Sequence, residues 1–140
     1  MGSGSTRKVA AHWFDALSNG RFDEAADLLA PDVEWINYSV VPGYNDAMPW
    51  IGTYVGRGAV MESLKTFLGV ADVQRESLDK LIVDGEDAIG IVCERSVVRA
   101  TGQAFEIEFI QHLTIRDGKI VRWKSYTDPS PILRAIKGAA

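Results

Sequence analysis

The chain has 140 residues, of which 46% are hydrophobic and 24% charged, and a formal net charge of −4. That balance suits one folded domain and excludes wholesale disorder, while no apolar run approaches the ~20 residues of a membrane helix. An acidic chain without a basic stripe is a poor partner for nucleic acid, one cysteine, Cys93, excludes a disulfide framework, and two histidines cannot assemble a usual zinc cluster.

Met1-Gly2-Ser3-Gly4-Ser5 reads as an expression scar or disordered tail, with a single domain over residues 6–140. Nothing in these first residues has the charged-then-apolar pattern of a secretory leader, so the expected location is cytoplasmic. The first helix is predicted to start near Ser5 or Thr6, either of which can cap it. Val9, Trp13, Ala16 and Leu17 form its apolar stripe, and Asn19-Gly20 stops it. A second helix is predicted over 22–30, with Phe22, Ala25, Ala26 and Leu29 on one side and Pro31-Asp32 at its end. Residues 33–38, Val-Glu-Trp-Ile-Asn-Tyr, read as a strand. Residues 39–58 mix glycines and prolines with Tyr44, Met48, Trp50 and Tyr54, a composition that predicts a long lid over a ligand. A third helix is expected over 59–68.

Asp84-Gly85, Thr101-Gly102 and Asp117-Gly118 are hairpin signals. They divide the remainder into strands at about 73–83, 87–99, 104–116 and 119–127. In the third of these, Phe105, Ile107, Phe109, Leu113 and Ile115 share one face, while Glu106, Glu108, His112 and Arg116 share the other. Pro129 and Pro131 end the last strand, and a short helix over 132–137 closes the chain. This order predicts an α+β fold: a cone-shaped, curved antiparallel sheet with three helices from the N-terminal half enclosing a cavity.

The candidate catalytic residues are Asn37, Arg95, Gln111, Asp46 and Asp128. Asn37 ends the first strand. Gln111 interrupts an apolar face, where a polar group is costly unless bonded. Arg95 alternates with Cys93 and Val97 and is expected to enter the interior, unless a β-bulge turns it to the opposite face. A guanidinium buried without an anion costs several kcal/mol, so an inward Arg95 calls for an anionic ligand or a nearby carboxylate. Asp46 and Asp128 are the candidate proton carriers. Trp13, Trp35, Trp50, Tyr54, Phe109, Trp123 and Ser125 are the expected substrate-binding walls, and Cys93 a small core residue.

Several segments carry a family resemblance. They are Phe14-Asp15-Ala16-Leu17 through Asn19-Gly20, Leu29-Ala30-Pro31-Asp32-Val33-Glu34-Trp35, Pro49-Trp50 through Gly52-Thr53-Tyr54 and Gly56, and Asp117-Gly118-Lys119-Ile120-Val121 leading to Trp123, Tyr126 and Asp128. Together they resemble the nuclear transport factor 2-like superfamily, in particular its SnoaL-like polyketide cyclases and ketosteroid isomerase-related proteins. The resemblance implies the cone fold, a cofactor-independent small-molecule enzyme, and a homodimer formed through the outer sheet face. Carried over by position, the isomerase base falls on Asn37, its tyrosine on Trp13 and its protonated acid on Gln111. The C-terminal half also resembles limonene epoxide hydrolases. Their arginine falls on Arg95 and their asparagine on Asn37, whereas their two aspartates fall on Val97 and Ser125 and their tyrosine on Trp35. Both standard mechanisms therefore lack their carboxylates here. The expected function is acid–base chemistry on a carbonyl-bearing or cyclic apolar substrate, as an isomerase, cyclase or lyase that needs no metal. A non-catalytic module binding a small apolar or anionic ligand is the alternative, and a departed epoxide hydrolase a further one.

Overall fold

Three successive hairpins shape the second half of the protein. The computed structural model describes residues 3–138. In it β3 (Ala71–Asp84), β4 (Asp87–Val98), β5 (Ala104–Arg116) and β6 (Lys119–Tyr126) run as an antiparallel meander. Between β5 and β6 the turn residues Asp117 and Gly118 both have positive φ, 53° and 76°, the backbone that a two-residue type I′ hairpin requires. The first half supplies α1 (Ser3–Ser18), α2 (Phe22–Asp27), β1 (Leu29–Asn37), β2 (Gly52–Val55) and α3 (Arg57–Val70), and α4 (Ser130–Lys137) follows the meander. The sheet order is β2-β1-β6-β5-β4-β3.

Several of the expected elements differ in extent or kind. The first helix is already formed at Ser3, and the tail reading for Met1 and Gly2 lies outside the described residues. The second helix stops at Asp27 because Leu29 joins the β1 ladder opposite Ile120. Pro31, expected to end that helix, sits inside β1 where its register against β6 shifts; a residue without an N–H is tolerated at such a bulge. The β1–β6 pairing is parallel, so the sheet is mixed rather than wholly antiparallel. The expected lid contains β2, and the rest of it is tied down. Asn45 is buried, accepts from the Val41 amide at 2.7 Å and donates to the Ser39 carbonyl at 2.9 Å.

Two apolar clusters flank the concave face. One joins α1 and the sheet through Trp13, Phe14, Trp35, Val92, Leu113 and Trp123. The other joins the 38–51 loop, β4, β5 and α4 through Met48, Trp50, Val98, Phe105, Ile132 and Leu133. Gly90 on β4 lets α1 approach: a Cβ there would lie 2.1 Å from the Phe14 ring. β3 carries two register shifts against β4, at Val73/Arg75 and Leu78/Lys80. Bulges of this kind increase strand twist and help curl a sheet around its concave face.

Candidate active site

Members of both clusters line a cavity of about 360 Å³. Residues paired across neighbouring strands share a sheet face, so the ladders show which lining side chains stand in one row. Asn37, Ser125 and Gln111 make one row across β1, β6 and β5. Glu76, Glu94 and Ile107 make another across β3, β4 and β5. Along β5 the two rows are four residues apart, about 13 Å of strand at ~3.3 Å per residue; the Phe109 ring lines the wall between them.

Gln111 is 3% exposed, and its side-chain carbonyl accepts from two indoles, Trp13 Nε1 at 3.0 Å and Trp123 Nε1 at 2.7 Å. Indole nitrogens only donate, so the amide cannot be turned the other way. Its NH2 has no partner among the described residues. Trp35 stacks on Trp123 with centroids 3.7 Å apart and meets Trp13 edge-on at 6.0 Å. The Trp13 and Trp123 indoles fix the orientation of Gln111, and the buried Trp35 indole N–H has no partner among the described residues.

The second row is a carboxylate pair. Glu94 is 7% exposed, and one of its oxygens accepts from Ser96 Oγ at 2.7 Å. Glu76, directly opposite, is partly buried and has no hydrogen bond to another described residue. Burial raises the pKa of both. For Glu76, burial together with the charge of Glu94 pushes it to about 7. Arg99 is the one basic residue of the lining among the described residues; it is exposed, and its Nε donates to the Leu68 carbonyl at 3.0 Å. Tyr38, also in the wall, has its phenol pushed up to about 12 by burial. A carboxyl poised near neutrality can give or take a proton, and a fixed amide N–H can meet developing negative charge on oxygen.

The expected site residues divide between cavity and surface. Asn37, Gln111, Trp35, Trp50, Phe109, Trp123 and Ser125 line the cavity. Trp13 stands behind the wall as a donor to Gln111, and Tyr54 bonds its hydroxyl to the Ile51 carbonyl at 2.9 Å, fixing the end of the loop. Arg95 does not enter. It is exposed on the outer sheet face and pairs with Glu106 at 3.4 Å. The β4–β5 ladder is regular, so Glu94, opposite the inward Ile107, takes the inner position and Arg95 the outer one. Asp46 is exposed and accepts from the Gly43 amide at 3.0 Å. Asp128 is exposed and accepts from the Ser130 amide at 2.9 Å at the start of α4. Neither faces the cavity. Cys93 is not core: it faces outward beside Asp79, whose carboxylate lies 2.9 Å from the thiol and is the main cause of a pKa pushed up to about 11. Three carboxylates, Asp72, Glu76 and Glu94, are in the lining, and none was among the catalytic candidates of the sequence.

A SnoaL-like domain profile matches residues 10–123. The chain belongs to the SnoaL-like domain family. Solved structures of the nuclear transport factor 2-like superfamily share the fold. An NTF2-like protein from Burkholderia thailandensis E264 is 24% identical, with 94% of this chain and 96% of that one covered and a TM-score of 0.81. TerC, co-crystallised with polyporic acid, is 19% identical over 95% and 98% of the two chains, with a TM-score of 0.81. A candidate SnoaL-like polyketide cyclase from Mesorhizobium loti is 18% identical over 86% and 97%, with a TM-score of 0.71. Comparison with curated protein sequences returns no match. No helix among the described residues of this SnoaL-like chain is long and apolar enough to cross a membrane.

Proposed function

We propose that this SnoaL-like protein is a small-molecule enzyme that moves a proton on a carbonyl-bearing, cyclic apolar substrate, with Glu76 and Glu94 as the proton carriers and Gln111 as the oxyanion donor. The observation that carries the reading is the cross-strand Glu76–Glu94 pair, set in an apolar cavity that also holds the clamped Gln111 amide. The two groups stand in different rows, so the proton and the developing charge belong to different ends of a conjugated substrate. One glutamate takes a proton from a carbon remote from the carbonyl. The electron pair moves through the conjugated bonds onto the carbonyl oxygen, which the Gln111 amide holds, and the proton returns to another carbon of the same system. Asn37 and Ser125, in the Gln111 row, support the same oxygen. TerC, with the same fold, was co-crystallised with polyporic acid, which supports a small organic ligand for a chain of this fold.

A purely binding module is favoured less, because two carboxylates of raised pKa are an expensive wall for passive apolar binding. The epoxide hydrolase reading loses support with Arg95 on the outer face. Pairing through the outer sheet face fits the apolar groups there: Ile82 is 45% exposed, and Ile91 and Ile110 stand side by side near it.

The test is deuterium incorporation from D2O into a bicyclic conjugated enone, followed by proton NMR. The wild type should accelerate exchange at the carbon γ to the carbonyl above the buffer rate. Glu76→Gln and Glu94→Gln should each remove most of that acceleration. Exchange that persists in the double glutamine variant would contradict the assignment.

A further inference from the structure

The cavity is asymmetric in charge and in hydrogen-bonding sense. At one end Gln111 can only donate, because two indoles occupy its carbonyl. A ligand group there must accept. At the other end stand Glu76 and Glu94; Asp72, also in the lining, accepts from Gln74 Nε2 at 2.8 Å. Among the described residues no lysine lines the cavity, and its one arginine, Arg99, is exposed and engaged with the Leu68 carbonyl. One oxygen of the buried Glu94 is bonded only to Ser96, and Glu76 has no hydrogen-bond partner among the described residues. Two carboxylates this close to an apolar wall lack a counter-charge, and the burial-driven rise of both pKa values has the same origin.

We infer that the substrate carries a basic amine: a compact, flat apolar molecule with a carbonyl at one end, held by Gln111, and a protonated amine at the other, seated between Glu76 and Glu94. The inference rests on the proposed reading of this cavity as the substrate site and adds the class of ligand it selects. A hydroxyl is neutral and offsets the charge of neither carboxylate. An ammonium supplies the counter-charge and has three donors, so it can bond Glu94 and one oxygen of Glu76, leaving the second Glu76 oxygen to carry the substrate proton. Phe109, Phe67 and Trp50 also line the cavity, and aromatic walls suit a flat body that carries positive charge. An anionic group at the glutamate end meets like charge and is rejected. This reverses the anionic ligand that an inward Arg95 would have required.

The experiment compares three para-substituted acetophenones by isothermal titration at neutral pH: 4-acetylbenzylamine, 4-acetylbenzyl alcohol and 4-acetylbenzoate. The wild type should bind the amine at least ~10-fold more tightly than the alcohol and the benzoate least of all. In the Glu76→Gln/Glu94→Gln double variant, its fold checked by circular dichroism, the amine should lose that advantage while the alcohol changes little. Equal binding of amine and alcohol by the wild type, tightest binding of the benzoate, or no binding of any of the three would overturn the inference. The enone exchange assay is read separately. Glutamate-dependent exchange without an amine preference would leave the acid–base reading standing and remove the amine. An amine preference without exchange would do the reverse.

Discussion

Replacing Gln111 with leucine removes the only acceptor of two buried indoles. Trp13 is 0% exposed and Trp123 is 4% exposed, and both donate to the same carbonyl. A buried donor stripped of its acceptor costs about 1–3 kcal/mol, so Gln111→Leu should destabilise the fold by about 2–6 kcal/mol. At roughly 3 °C per kcal/mol for a domain of this size, the melting temperature should fall by about 6–18 °C. Gln111→Glu keeps an acceptor for both indoles and should lose less stability than the leucine variant at low pH, where the buried carboxyl is protonated, and more as pH rises and it must ionise. Urea unfolding followed by tryptophan fluorescence and circular dichroism measures both variants. If Gln111→Leu melts within 2 °C of the wild type, the double-indole clamp does not exist, and the fixed donor that the mechanism needs goes with it.

Gly90→Ala should destabilise by at least ~1–3 kcal/mol, because its Cβ meets the Phe14 ring at 2.1 Å; adding Phe14→Leu should recover part of the loss, a coupling that a double-mutant cycle in urea reads directly. Glu76 supplies a pH dependence of stability. Its carboxyl stays protonated up to about pH 7 in the native state, against an ordinary 4.5, so the folded protein binds more protons between those values. Stability should therefore decline as pH rises from 4.5 through 7, by on the order of 2–3 kcal/mol, and Glu76→Gln should flatten that slope relative to the wild type. Asn45→Ala removes the bonds to Val41 and Ser39 and should lower amide-exchange protection in the 38–51 loop while leaving that of β4 and β5 unchanged.

The meander was legible in the sequence because its punctuation is local. Asp84-Gly85 and Asp117-Gly118 mark turns by backbone chemistry, and β3 to β6 lie within a residue or two of the limits those turns imply. The face of β4 was not legible from β4 itself. Its outer set, Ile89, Ile91, Cys93, Arg95 and Val97, is at least as apolar as its inner set, Ala88, Gly90, Val92, Glu94, Ser96 and Val98. An apolar outer face reverses the usual inference from alternation, and a slip of one residue exchanges every side chain. The clue lay on the neighbouring strand. Ile107 reads as inward from the clear alternation of β5, and a hairpin centred between Ala100 and Thr101 puts Glu94 opposite it. Glu76 was harder still, since two bulges break the phase of β3. Asn37 and Gln111 could be read as polar residues on otherwise apolar strand faces, whereas Trp13 as a clamp for Gln111 depends on a contact across 98 residues of chain. Asp46 and Asp128 misled because short acidic side chains in loops usually bond nearby backbone, as both do here.

Glu76 and Glu94 face each other in a largely apolar cavity, and burial makes the pair hold a proton near neutrality. Carbon-detected NMR titration of the glutamate side chains in the folded, ligand-free protein measures this directly. Glu76 should titrate at about 7, Glu94 above the usual 4.5, and Glu94→Gln should lower the Glu76 value by removing a neighbouring charge. Titration of both groups near 4.5, with no response of one to loss of the other, would contradict the account.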